Sequence, residues 1–92
     1  MKIVKISAIW CGACLIMNKI WNQLKDNYEF EAIELDYDMD EEEVKKYDPG
    51  NILPVFIVYQ NDRELLRLTG ELSYDEIVNR ISEVGELNEK NI

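Results

Sequence analysis

The chain has 92 residues, 47% of them hydrophobic, with two cysteines, no histidine and a net charge of −9 at pH 7. That length holds one domain with a modest core and no second one, and the acidity argues against nucleic acid and against anionic membrane surfaces. No apolar run approaches the length of a membrane span, and the first residues, interrupted by Lys5, lack a secretory cleavage pattern, so a soluble cytoplasmic monomer is expected.

Residues 2–8 read as a first strand, short and mostly buried, in which Val4 and Ile6 alternate with Ile3, Lys5 and Ser7. Residues 11–27 read as a helix: Leu15, Ile16, Met17, Ile20, Trp21, Leu24 and Tyr28 recur at helical spacing, and Asp26-Asn27 supplies the stop. Trp21, on that apolar face, is expected in the core. Residues 30–37 form a second strand, and the strand–helix–strand order implies a right-handed crossover and a parallel pair. Asp40 is a candidate cap for a short helix that starts with Glu41, Glu42 and Glu43 and ends before Asp48-Pro49-Gly50.

Residues 52–59 are the most strand-like run in the chain, with Pro54 near the strand start, where its missing N–H costs least. A turn at residues 60–63 returns the chain as a fourth strand to Thr69, followed by Gly70. Ser73 caps the last helix, with Glu76 at the capping-box spacing and Ile77, Val78, Ile81 and Val84 as its buried stripe. Gly85 ends it, and residues 86–92 are expected to be a frayed tail around a core of residues 2–84. The order is β-α-β-α-β-β-α: an α/β domain with a mixed sheet and helices on both faces.

The chemistry concentrates at Trp10-Cys11-Gly12-Ala13-Cys14, between the first strand and the first helix. A helix N-terminus presents unpaired N–H groups and partial positive charge. Both favour an anion, and the thiolate is the reactive form of cysteine. Cys11, at the helix mouth, is the candidate nucleophile. Cys14, within the first turn and more covered, is the candidate resolving residue, and Gly12 and Ala13 are small enough to let a partner chain approach. A metal half-site is the alternative, but two cysteines without histidine do not complete a four-ligand site in one chain. Trp10 either shields the dithiol and meets partners or anchors the strand end. The spacing of Asp36, Asp38 and Asp40 echoes a calcium loop, but Glu41 stands where its glycine belongs and Tyr47 where its closing glutamate belongs. A solvated turn and helix start is the expected reading.

Three signals in register resemble the thioredoxin family, in a shortened form without the N-terminal strand and helix. They are Trp-Cys-Gly-X-Cys at residues 10–14, Pro54 at the distance of the family's cis-proline, and Gly70 at that of the glycine after the final strand. The resemblance covers residues 2–84. It implies a thioredoxin-like four-stranded sheet in the order 2-1-3-4 and a reversible Cys11–Cys14 disulfide with no bound cofactor or metal. It also implies a substrate groove formed by Trp10, Gly12, Ala13, Leu53, Pro54, Thr69 and Gly70, with Glu71 beside it. Ala13 stands where proline is usual. Lys5 stands where thioredoxins keep a buried acid, and Glu34 aligns with their neighbouring lysine, so the pair is reversed in sign. Two readings of Lys5 stay open: it lies beneath the dithiol and tunes thiol ionisation with Glu34, or it reaches out to water.

The resemblance implies a protein disulfide oxidoreductase acting on disulfide-containing proteins and recharged by a thioredoxin-reductase type of electron donor. A glutaredoxin-like, glutathione-dependent reductase fits the size, but Ala8, Ala13 and Glu71 depart from that group's pattern. A redox-inert protein-binding module using the groove at Leu53-Pro54 is the third alternative, and the intact dithiol argues against it.

Overall fold

In the computed structural model, which describes residues 1–90, the chain runs β1 (Lys2–Ser7), α1 (Gly12–Asn27), β2 (Tyr28–Glu29), β3 (Glu31–Asp36), α2 (Glu41–Tyr47), β4 (Val55–Gln60), β5 (Arg63–Thr69), α3 (Tyr74–Val84) and β6 (Asn88–Glu89). The main sheet has the order β3-β1-β4-β5, which is the expected 2-1-3-4 arrangement. β1 is central: it pairs in parallel with β3 and antiparallel with β4.

Strand alternation sends neighbouring side chains to opposite faces. Ile3, Phe56 and Val58 meet Met17, Trp21 and Leu24 of α1 and Ile77 and Ile81 of α3. Val4, Ile6, Val55 and Ile57 meet Val44 of α2 on the other face. Each fully buried side chain of this size contributes about 1.5–3 kcal/mol, so two separate apolar clusters hold the helices to the two faces. Trp21 is in the core as expected, with ring centroids 5.6 Å from Phe30 and 5.9 Å from Phe56. No helix among the described residues is long and apolar enough to cross a membrane.

Several local expectations change. β4 begins at Val55, not residue 52, because Pro54 has no N–H for the ladder and Ile52 and Leu53 lie in the loop ahead of it. Tyr28 pairs in β2 instead of extending the helical face. Asp40 precedes α2, but its carboxylate accepts the Asp36 N–H at 2.8 Å and makes no bond to the helix. The frayed tail is overturned through residue 90: Asn88 and Glu89 pair with Glu29 and Tyr28, Lys90 donates its N–H to Asn27 O at 2.9 Å, and Leu87 packs on the core. The last two positions of that expected tail, 91 and 92, lie outside the described residues. The capping box forms, with Glu76 N–H on Ser73 Oγ at 3.1 Å and Ser73 N–H on Glu76 Oε1 at 3.4 Å.

Candidate active site

β1 ends at Ser7 and α1 starts at Gly12, so the short loop between them carries Cys11 to the end of the sheet. Cys11 is the N-cap of α1, and its Sγ accepts the backbone N–H of Cys14 at 3.2 Å. The sulfur therefore takes one of the donors that a helix start leaves unpaired. Both cysteines are free thiols and both are buried, Cys11 at 8% exposure and Cys14 at 3%. Cys14 is the more covered of the two, as its place in the first helical turn predicts. Burial, reinforced by the hydrogen bond and charge of Cys11, pushes the Cys14 thiol up to about 11; a backbone hydrogen bond at Ala8 and the charge of Lys5 pull the other way.

The loop ahead of β4 supplies the facing wall. The Leu53–Pro54 peptide is cis, and the Cys11 thiol donates to Leu53 O at 3.6 Å. Gly70 N–H donates to Pro54 O at 2.9 Å, which brings the two downstream signals of the sequence together. Gly70 has φ +79°, and a Cβ there would find its nearest neighbour, Ile52 Cγ2, at 3.7 Å. Backbone conformation, not lack of space, is what calls for glycine at that turn. Thr69 is exposed, opposite Val55 in the ladder. Gly12 is exposed and Ala13 packs partly on the α2-side cluster.

Trp10 does not anchor the strand end in the core. It is 63% exposed, it donates its indole N–H to Asp38 Oδ2 at 2.6 Å, and it meets the edge of Tyr37 at 6.1 Å between centroids. Ile9, Met39 and Ile52 are exposed on the loops flanking it and Leu53. The carboxylates of Asp36 and Asp40 are taken up by backbone N–H groups of the same turn, at Met39 and Asp38 for the first and at Asp36 for the second. This is a self-capped turn. A cleft of about 510 Å³ lies against this turn and α2, between Tyr37, Asp38, Val44 and Asp48, and includes neither cysteine.

Lys5 is the only buried charged side chain among the described residues, at 6% exposure, and does not reach out to water. β1 and β3 place it directly beside Glu34. Its Nζ donates to Asn18 Oδ1 at 2.9 Å and lies 3.3 Å from Glu34 Oε1. Lys25 holds the other Glu34 oxygen at 3.5 Å. Burial works to raise the Glu34 carboxyl, but Lys5, by charge and hydrogen bond, and Lys25 outweigh it and hold it below the usual carboxylate range. The buried indole N–H of Trp21 has no partner of hydrogen-bonding geometry, yet it approaches Glu34 closely enough to favour the ionised carboxyl.

Two residues at the site escaped the sequence reading. Asn18 was legible in principle, four residues after Cys14 and so on the same side of α1. Asp38 was legible only as part of a solvated turn, because its bond to Trp10 depends on how two loops fold together.

Comparison with known proteins places this geometry. The thioredoxin family model matches residues 1–83. No curated protein matches the chain significantly in sequence. Among solved structures, the reduced thioredoxin pre-protein of Schistosoma mansoni is 25% identical with a TM-score of 0.79, over 90% of this chain and 77% of that one. The thioredoxin of Fasciola hepatica is 27% identical with a TM-score of 0.74, over 91% of this chain and 80% of that one. Thioredoxin 1 of Thermosipho africanus, 19% identical with a TM-score of 0.74 over 90% and 92% of the two chains, shows the shared fold alone.

Proposed function

The chain belongs to the thioredoxin family, and on that premise we propose that it is a protein disulfide reductase in which Cys11 attacks and Cys14 resolves. Family, fold and the closely spaced cysteines support thiol–disulfide oxidoreductase chemistry in general. The observation that carries the finer reading is the position of Cys11 Sγ: at the N-cap of α1, accepting the Cys14 N–H, and facing the Leu53 carbonyl beside cis Pro54.

The Cys11 thiolate attacks one sulfur of a partner disulfide. A Cys11–partner disulfide forms, the partner bond breaks, and the departing thiolate takes a proton from water. Cys14 gives its proton to solvent and attacks Cys11 Sγ. The Cys11–Cys14 bond forms and the second partner sulfur leaves, so two electrons have passed to the partner. No bound cofactor is needed. A reductase of the thioredoxin-reductase type returns the two electrons in the cytoplasm. Extended partner segments lie along Leu53-Pro54 and Thr69-Gly70, and Trp10 covers the mixed disulfide.

Reduction of insulin disulfides by wild type, Cys11→Ser and Cys14→Ser tests this. Wild type is active, Cys11→Ser is inert, and Cys14→Ser accumulates a covalent adduct that dithiothreitol releases. Equal rates for wild type and Cys11→Ser overturn the reading. Coupling to glutathione and its reductase, compared with a thioredoxin reductase, identifies the electron donor.

A further inference from the structure

Beyond the dithiol, the feature least explained by folding is a buried cation. A lysine placed at 6% exposure on a central strand opposes folding through desolvation, and a buried ion pair is weak evidence of stabilisation. Its position relative to the thiols is specific. Asn18, which accepts from Lys5 Nζ at 2.9 Å, follows Cys14 by four residues along α1 and therefore stands one helical turn from it on the same side. Cys14 and Asn18 both line a recess of about 190 Å³ that also touches Ser7 and Asp36.

We propose that Lys5 is a positioning residue for the resolving step: its ammonium, fixed between Asn18 and Glu34 one turn beneath Cys14, is the charge against which the Cys14 thiolate forms. The inference rests on the disulfide-exchange reading above. In the mixed disulfide Cys11 is covalently bound and uncharged, so its opposition to a second thiolate is gone and Lys5 acts on Cys14 without that competitor. The Cys14 proton leaves to solvent through the recess, and the thiolate attacks Cys11 Sγ. The groups facing Lys5 are Glu34 on β3, itself also held by Lys25 of α1, and the Cys14 thiol on α1; Asp36 of β3 lines the recess beside Cys14, and the neighbour of Lys5 on β4 is the apolar Phe56. The direction in which Lys5 moves Cys14 agrees, since its charge works against the burial that pushes that thiol up.

The test follows resolution directly. The reduced protein is mixed with dithiodipyridine, which releases one coloured thiopyridone when Cys11 attacks and a second when Cys14 resolves. Lys5→Met and Lys5→Gln raise the pH midpoint of the second phase by about one unit. The thiolate fraction then falls about tenfold, its greater nucleophilicity recovers about threefold, and the second phase slows about threefold at neutral pH. Glu34→Gln removes the charge that offsets Lys5 and shifts the midpoint down, speeding the same phase. Opposite signs are the mark of a charge effect, because loosened packing slows both. An unchanged second phase in a Lys5 variant that keeps its near-ultraviolet circular dichroism overturns the inference, as does slowing in both sets of variants. Lys5→Gln, which can keep the Asn18 bond, carries the test if Lys5→Met does not fold. A wild type that releases only the first thiopyridone overturns the exchange reading itself, a result distinct from either of these.

Discussion

Trp10 donates its indole N–H to the Asp38 carboxylate at 2.6 Å, tying the loop in front of Cys11 to the turn between β3 and α2. The ring of the residue just before Cys11 is thereby fixed against that turn while most of it stays exposed. Asp38→Ala frees the ring. A hydrogen bond to a charged group at an exposed site is worth about 0.5–1 kcal/mol after competition with water, so kcat/KM for insulin reduction should fall about two- to fivefold. Stability should fall by no more than about 1 kcal/mol. Steady-state kinetics beside a thermal melt separate the two effects, and unaltered kinetics would show that the tether does nothing for partner binding.

Glu34 gives a pH signature. Its carboxyl is held below the usual range in the folded protein by Lys5 and Lys25 against the effect of burial. A depressed folded pKa stabilises the fold above the unfolded value of about 4.3 and is lost as pH falls through the folded value. Wild type should therefore exceed Glu34→Gln in stability by a constant margin above about pH 5.5, closing below about pH 4. With the Glu34 side chain 50% exposed, screening limits that margin to about 1 kcal/mol. Urea melts across pH measure it; a margin that grows on acidification contradicts the pairing.

Ser73 offers a stability change away from the chemistry. Its hydroxyl caps α3 through Glu76 N–H at 3.1 Å, so Ser73→Ala should cost about 1 kcal/mol and lower Tm by about 4–8 °C. Both phases of thiopyridone release should keep their wild-type rates below the melting transition. A change in either phase would mean that α3 couples to the dithiol.

Ala13 bears on the reduction potential. Within the first turn of α1 its N–H is one of the donors without a helical partner, next to the Cys11 cap. Such a donor favours the thiolate, hence the reduced form, and a more oxidising couple. The potential should lie above the value of about −270 mV typical of thioredoxin. Ala13→Pro removes the donor and should lower the potential by about 30 mV, a tenfold change in the exchange equilibrium. Equilibration with glutathione or dithiothreitol buffers reads both values, and a wild type at or below the thioredoxin value refutes the argument.

Much of this protein was legible from residue order alone. The alternation of Ile3, Val4 and Ile6, the helical spacing through Leu24, the Ser73–Glu76 capping box and the cysteine pair at a strand-to-helix junction are local patterns. Backbone periodicity and nearest-neighbour hydrogen bonding set them, so they survive without knowledge of the rest of the chain. The sheet order and the meeting of Pro54 with Gly70 came from matching those patterns to a family.

Tertiary structure decided what faces what. Whether Lys5 reaches water or lies buried depends on α1 covering that face of β1 and on Glu34 and Asn18 arriving from two other elements. The Trp10–Asp38 tether and the pairing of Tyr28 and Glu29 with Glu89 and Asn88 likewise join segments distant along the chain. The energy of a charge or polar group is set by its surroundings in space, through desolvation and nearby partners. Periodicity therefore predicts the strand that carries Lys5, and only the packed structure shows the buried cation beneath Cys14.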